Sequence, residues 1–123
     1  MEKAKRFEEL WIWQEARGLV GEVYKDLQLG APGNRDFGFK DQIQRAALSI
    51  MNNIAEGFER STDADFARFL DIAKGSCGEV RGMYYLAEDL EYVTREVAEL
   101  RRTRARRIAG GIASLTAHLR GSK

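Results

Sequence analysis

The sequence predicts an all-α chain folded as an antiparallel up-and-down four-helix bundle. Three observations predict it. Apolar residues recur every three to four positions over four long stretches, and no stretch alternates with the two-residue period of a strand. Only short polar breaks divide the four stretches, which is the connectivity of neighbouring antiparallel helices. At 123 residues the chain makes one domain, 1–123, large enough to bury roughly two-thirds of its unfolded surface.

The elements follow in order. The first helix, about 9–29, repeats at Ile12, Ala16, Leu19, Val23 and Leu27, and Trp11 and Trp13 stand at its start. One of these rings is expected to cap the core and the other to meet a neighbour, with a nucleic-acid stacking platform as the less favoured use. GAPGNRDFG, residues 30–38, ends the helix, because three glycines and the only proline cannot continue it. The second helix, about 38–59, repeats at Ile43, Ala47, Ile50, Ile54 and Phe58. Thr62, three residues before Asp65, is placed to cap the third helix, about 63–91. That helix repeats at Phe66, Phe69/Leu70, Ala73, Cys77, Val80, Tyr84 and Ala87. Thr94 is placed to cap the fourth, about 95–119, whose seam reads Val97, Leu100, Ile108, Ile112, Leu115 and Leu119.

Composition excludes several classes. A chain that is 44% hydrophobic and 32% charged is not a disordered tail. The single cysteine forbids an internal disulfide. MEKAKRFEEL carries charge without the apolar core of a secretory signal, and no apolar run reaches the roughly 18–20 residues of a membrane span, so a cytoplasmic location is expected. No catalytic, metal or cofactor site is expected. The lone His118 lacks the Glu-x-x-His spacing of a carboxylate-bridged metal bundle, and Cys77 sits on a core face.

Charge is unevenly placed although the net is only +1. Residues 1–100 hold thirteen Lys/Arg against nineteen Asp/Glu, whereas 101–123 hold seven Lys/Arg and no acid. Five of those seven form RRTRARR, Arg101–Arg107. At about 100° per residue they do not share one face. Arg102 and Arg106 point away from the seam, Arg107 flanks it, and Arg101 and Arg104 fall close to it. Arg101 and Arg104 are expected either to extend along the bundle edge or to pair with carboxylates of the third helix, among Glu79, Glu88 and Asp89. Arg102, Arg106 and Arg107 are left for solvent or a polyanion, since the planar guanidinium fork suits phosphate. Two uses of the run stay open: a nucleic-acid contact surface, or a solvated face with salt bridges.

Two stripes exceed what one bundle needs. Gly75, Gly78 and Gly82 align on the outward face of the third helix, where each glycine costs about 1 kcal/mol against alanine. A close-packed subunit interface would account for them. On the second helix Ser49, Asn53, Glu56 and Arg60 stack at helical spacing, either as a solvated face or as a polar network between helices or subunits.

WQEARGLVGEVYKDL, FGFKDQIQRAALSIMNNIAEGFER and FARFLDIAKGSCGEV together resemble the 23S rRNA intervening-sequence protein family, also called the four-helix-bundle protein family. The match centres on Ser49-Ile50, Asn53-Ile54-Ala55-Glu56-Gly57 and Arg60, and runs on through Phe66, Phe69-Leu70, Ala73, Gly75-Ser76 and Glu79. The resemblance covers roughly residues 7–90. It implies a ring-like homopentamer without enzymatic activity and an interface role for Gly75, Gly78, Gly82, Asn53, Glu56 and Arg60. A related protein is the accessory variability determinant of diversity-generating retroelements, a basic pentamer that works with a reverse transcriptase and nucleic acid. The implied function is an oligomeric adaptor whose basic fourth helix, through Arg101, Arg102, Arg104, Arg106 and Arg107, meets structured RNA or a reverse-transcriptase-like enzyme. The alternative is a structural or protein-interaction oligomer without nucleic acid.

Overall fold

Four helices follow a single 3-10 turn, Phe7–Glu9, in the computed structural model, which describes residues 3–121. They are α1 (Trp11–Asp26), α2 (Phe37–Phe58), α3 (Asp63–Asp89) and α4 (Arg95–Leu119). The helices pack in cyclic order, each against the next and α4 back against α1, while the backbones of the two diagonal pairs stay apart. Cross-helix bonds pair early residues of one helix with late residues of its neighbour, as in Gln42 with Glu79 and Arg102 with Glu88, so the neighbours run antiparallel. Among the described residues no helix is long and apolar enough to cross a membrane.

The core lies along the common axis. Leu19 and Val23 of α1, Ile43, Ile50 and Ile54 of α2, Leu70, Val80 and Tyr84 of α3, and Ile108 and Ile112 of α4 are all at most 1% exposed. Each such side chain contributes about 1.5–3 kcal/mol by leaving water. Two glycines let backbones approach. A Cβ on Gly57 would meet Phe69 at 2.8 Å where α2 turns into α3, and one on Gly111 would meet the Trp11 ring at 2.4 Å where α4 crosses the start of α1. Cys77 is buried, and burial pushes its thiol up to about 12. His118 is exposed near the end of α4.

The caps confirm two sequence expectations. Thr62 accepts from the Asp65 amide at 3.1 Å, and Thr94 from the Val97 amide at 3.2 Å. Two expectations are corrected. First, α1 is shorter than 9–29: Phe7–Glu9 form the 3-10 turn, and the chain leaves the helix at Leu27, whose carbonyl accepts from the Asn34 side chain at 2.8 Å. That bond folds the loop back onto the helix end. Second, Leu100 is not on the seam; it is 65% exposed, and the seam runs through Ala98, Ala105, Ile108, Ile112 and Thr116. Small residues bring α4 close in its first half, so the large Leu100 is turned outward. Of the two tryptophans, Trp13 is the one that packs on the edge of the core, half-buried against Phe7, while Trp11 is 48% exposed and lies on Gly111.

Candidate functional site

The arginine run is placed by the seam of α4. Because Ala98, Ala105 and Ile108 face the axis, Arg101 and Arg104 emerge toward α1 and Arg102 toward α3. Arg101 donates twice to Asp26, Nε at 2.8 Å and Nη2 at 2.9 Å, and its Nη1 lies 3.2 Å from Glu22. The Arg101 and Asp26 side chains are only 13% and 9% exposed. Asp26 also accepts from the Tyr84 hydroxyl at 2.7 Å, a bond that crosses the bundle's diagonal. Burial first, then the Asp26 charge, pushes the Tyr84 phenol well up, so it stays a donor. The hydrogen bonds that Arg101 donates to Asp26 likewise hold its guanidinium above its usual value.

Arg104 binds Glu15 at 3.1 Å and Glu22 at 3.0 Å, both on α1. Its guanidinium lies flat across Gly18, where a Cβ would stand 2.0 Å from Nη2. The partners expected on the third helix are thus replaced by α1 acids. The reason is rotational: Arg101 and Arg104 lie on the α1 side of the seam, and Glu79 of α3 faces away, held by Gln42 of α2.

Arg102 was expected to be free and is not. Its side chain is 13% exposed, donates to Glu88 at 3.0 Å, and stacks 4.1 Å above the Tyr85 ring. Arg107 is the loosest of the paired members, 63% exposed, 3.6 Å from Glu15 and 5.8 Å from the Trp11 ring centre. Arg106 is exposed and has no acid within 4.0 Å among the described residues. Three of the five arginines therefore hold helices together, and the run does not present a single cationic face.

The α2 stripe is a network between helices of one chain. Ser76 of α3 donates to the Ser49 hydroxyl at 2.8 Å, and Asn53 donates to the Ser49 carbonyl at 2.8 Å and hydroxyl at 3.0 Å. Glu56 pairs with Arg60 at 3.0 Å, and the Arg60 guanidinium sits 4.6 Å above the Phe69 ring. The glycine stripe is open: a Cβ at Gly75, Gly78 or Gly82 would meet nothing within 4 Å. Beside it, Ile72, Leu86 and Leu90 are 45–46% exposed. Sequence reading passed over these three because the core period of α3 absorbs other residues.

It also passed over Arg81 and Tyr85. They face Arg106 across the outer groove between α3 and α4, in a hollow completed by Arg102, Thr103 and Glu99. The signal was available in the antiparallel register, which sets residues near 81–85 of α3 opposite those near 105 of α4. Among the described residues no cluster of His, Cys, Asp or Glu could hold a metal ion.

Comparison with known proteins places this architecture. Residues 8–114 match the family described as 23S rRNA-intervening sequence protein. A search of the curated proteins gives no match. Among solved structures the chain is similar to a protein with unknown function from the S23 ribosomal protein family of Bacteroides thetaiotaomicron, with a TM-score of 0.79 and 24% identity, covering 86% of this chain and 95% of that one. That likeness concerns the fold. With four helices in the expected order and a family match reaching from before α1 to within the last two turns of α4, the chain belongs to the 23S rRNA-intervening sequence protein family.

Proposed function

We propose that this protein is a non-enzymatic, self-assembling adaptor that associates with structured RNA or an RNA–protein complex. The homopentamer that the family resemblance implies is the favoured assembly. The observation that carries the reading is the outer face of α3, where Ile72, Leu86 and Leu90 lie exposed beside Gly75, Gly78 and Gly82. Glycine lowers helix stability, and exposed leucine and isoleucine gain nothing from water, so both find a use against a second backbone. The RNA half rests on the family's relation to ribosomal RNA and on the acid-free stretch 101–123. Several copies on one particle would add weak phosphate contacts into useful avidity.

A second reading, an oligomer without nucleic acid, draws on a specific observation. Arg101, Arg102 and Arg104 are engaged by carboxylates of their own chain, which removes much of the apparent basic surface. Two measurements separate the readings. Native mass spectrometry is expected to give an oligomer for the wild type and a smaller species for Gly82→Leu. Anisotropy of a labelled RNA hairpin is expected to rise on titration and to fall back with salt. An oligomer that leaves the hairpin free at low salt supports the second reading, and a monomeric wild type overturns both.

A further inference from the structure

We propose that the outer groove between α3 and α4, with Arg81, Arg106 and Tyr85 at its centre, is the surface that holds an unpaired RNA strand. This rests on the RNA half of the proposed function and narrows the contact from the whole arginine run to its unpaired member Arg106 together with residues of α3. Two ion pairs bracket the groove: Arg102–Glu88 at one end and Arg120–Asp71 at the other. Between them α4 carries no acid, and the one acid of α3, Glu79, faces α2 and is bonded to Gln42. Arg104 and Arg107 of the same interval turn to acids of α1, which leaves Lys74, Arg81 and Arg106 as its exposed lysine and arginines without an acid within 4.0 Å among the described residues. Lys74 and Arg81 are two helical turns apart on one side of α3, about 10 Å, a spacing that suits phosphates two nucleotides apart on one strand.

On the α4 edge Gly110 leaves open space where a Cβ would stand, so a sugar–phosphate chain can approach that helix backbone. Tyr85 supplies what a purely electrostatic patch lacks. Its ring is 57% exposed, and the Arg102 guanidinium 4.1 Å above it fixes its orientation. An exposed aromatic beside free guanidinium groups is the arrangement on which an unpaired base stacks while its phosphates are held. Glu99, which also lines the hollow, is the one acid that opposes the charge, and it favours a strand reading the groove from the Arg106 side. A duplex offers no free base to Tyr85, so an unpaired loop is the preferred form.

The test is anisotropy with a labelled hairpin carrying a single-stranded loop, and with a blunt duplex of equal length, at low and physiological salt. Arg81→Gln/Arg106→Gln is expected to weaken loop binding on the order of tenfold and to flatten the salt slope by about 1.4, two contacts at ~0.7 each. Tyr85→Ala is expected to weaken the loop RNA on the order of fivefold or more, and Tyr85→Phe to restore it. Both sites are exposed, and circular dichroism and native mass check that the variants fold and assemble. Wild-type binding with unchanged affinity in the double variant overturns this site while leaving the RNA reading intact. Equal losses for loop and duplex, with no response to Tyr85→Ala, overturn the unpaired-strand assignment. No binding by the wild type at low salt removes the RNA reading and this site together.

Discussion

Asp26 is the residue on which three helices converge. It sits at the end of α1, takes two bonds from Arg101 of α4 and one from Tyr84 of α3, and its side chain is 9% exposed. Removing one partner of a buried ion pair leaves the other charge without compensation, which costs about 3–5 kcal/mol. Asp26→Ala is therefore expected to destabilise the fold by ~3 kcal/mol in urea denaturation. Arg101→Ala should lose a similar amount, and the double variant much less than the sum. Additive losses would mean that the two groups do not act as a unit. The same logic explains why a run of arginines is compatible with a nearly neutral protein. Arg101, Arg102 and Arg104 answer Asp26, Glu88, Glu15 and Glu22, which lie far away in sequence.

At the scale of the element, α2, α3 and α4 each start at a side-chain cap, Asp36, Thr62 and Thr94, and the stop of α3 departs from preference. The end of α3 is a left-handed cap. Glu91 has φ of 60°, and the Tyr92 amide reaches back to the Ala87 carbonyl at 2.8 Å. Glycine normally occupies such a position because a Cβ costs about 1 kcal/mol there. Glu91→Gly is expected to raise stability by ~0.5–1 kcal/mol, read as a higher denaturation midpoint with an unchanged slope. A lower midpoint would mean that the added freedom of the unfolded chain outweighs the relieved strain. The outer side of α3 is divided in two along its length. Gly75, Gly82, Leu86 and Ile72 lie toward α2, while Lys74, Arg81 and Tyr85 lie toward α4, so one helix can serve self-assembly and a polyanion on separate edges.

At the scale of the whole molecule, the two loops at one end of the bundle are clasped together. Asp36 caps α2 by accepting from the Phe39 amide at 3.1 Å and also accepts from the Tyr92 hydroxyl at 2.6 Å, while the Tyr92 ring packs edge-on against Phe39. The Tyr92 bond first, then the amide, holds the Asp36 carboxyl below its usual value of 3.8. A depressed carboxyl contributes stability that is present above the unfolded value and is lost as pH falls through the folded value. Thermal stability measured from pH 6 down to pH 2 is therefore expected to fall in acid, and Asp36→Asn to flatten part of that fall. An identical pH profile for the variant would show that the clasp holds no charge-dependent stability.

Much of this architecture was legible in local pattern. The helical period of Ile43, Ala47, Ile50 and Ile54, the caps at Thr62 and Thr94, and the loop around Pro32 are short-range features, set by backbone geometry and by which face must leave water. The resemblance carried by Asn53-Ile54-Ala55-Glu56-Gly57 reached the family for the same reason, since the string is contiguous. What each arginine touches was not legible. That depends on the rotation of α4 about its own axis, which the small residues Ala98 and Ala105 set by drawing the helix inward, and on α1 lying beside α4 some 75–90 positions away. Sequence alone determined four helices, their order and their core; tertiary packing alone decided that Arg101, Arg102 and Arg104 join helices while Arg81 and Arg106 stay free, because charge pairing follows distance in space and not distance along the chain.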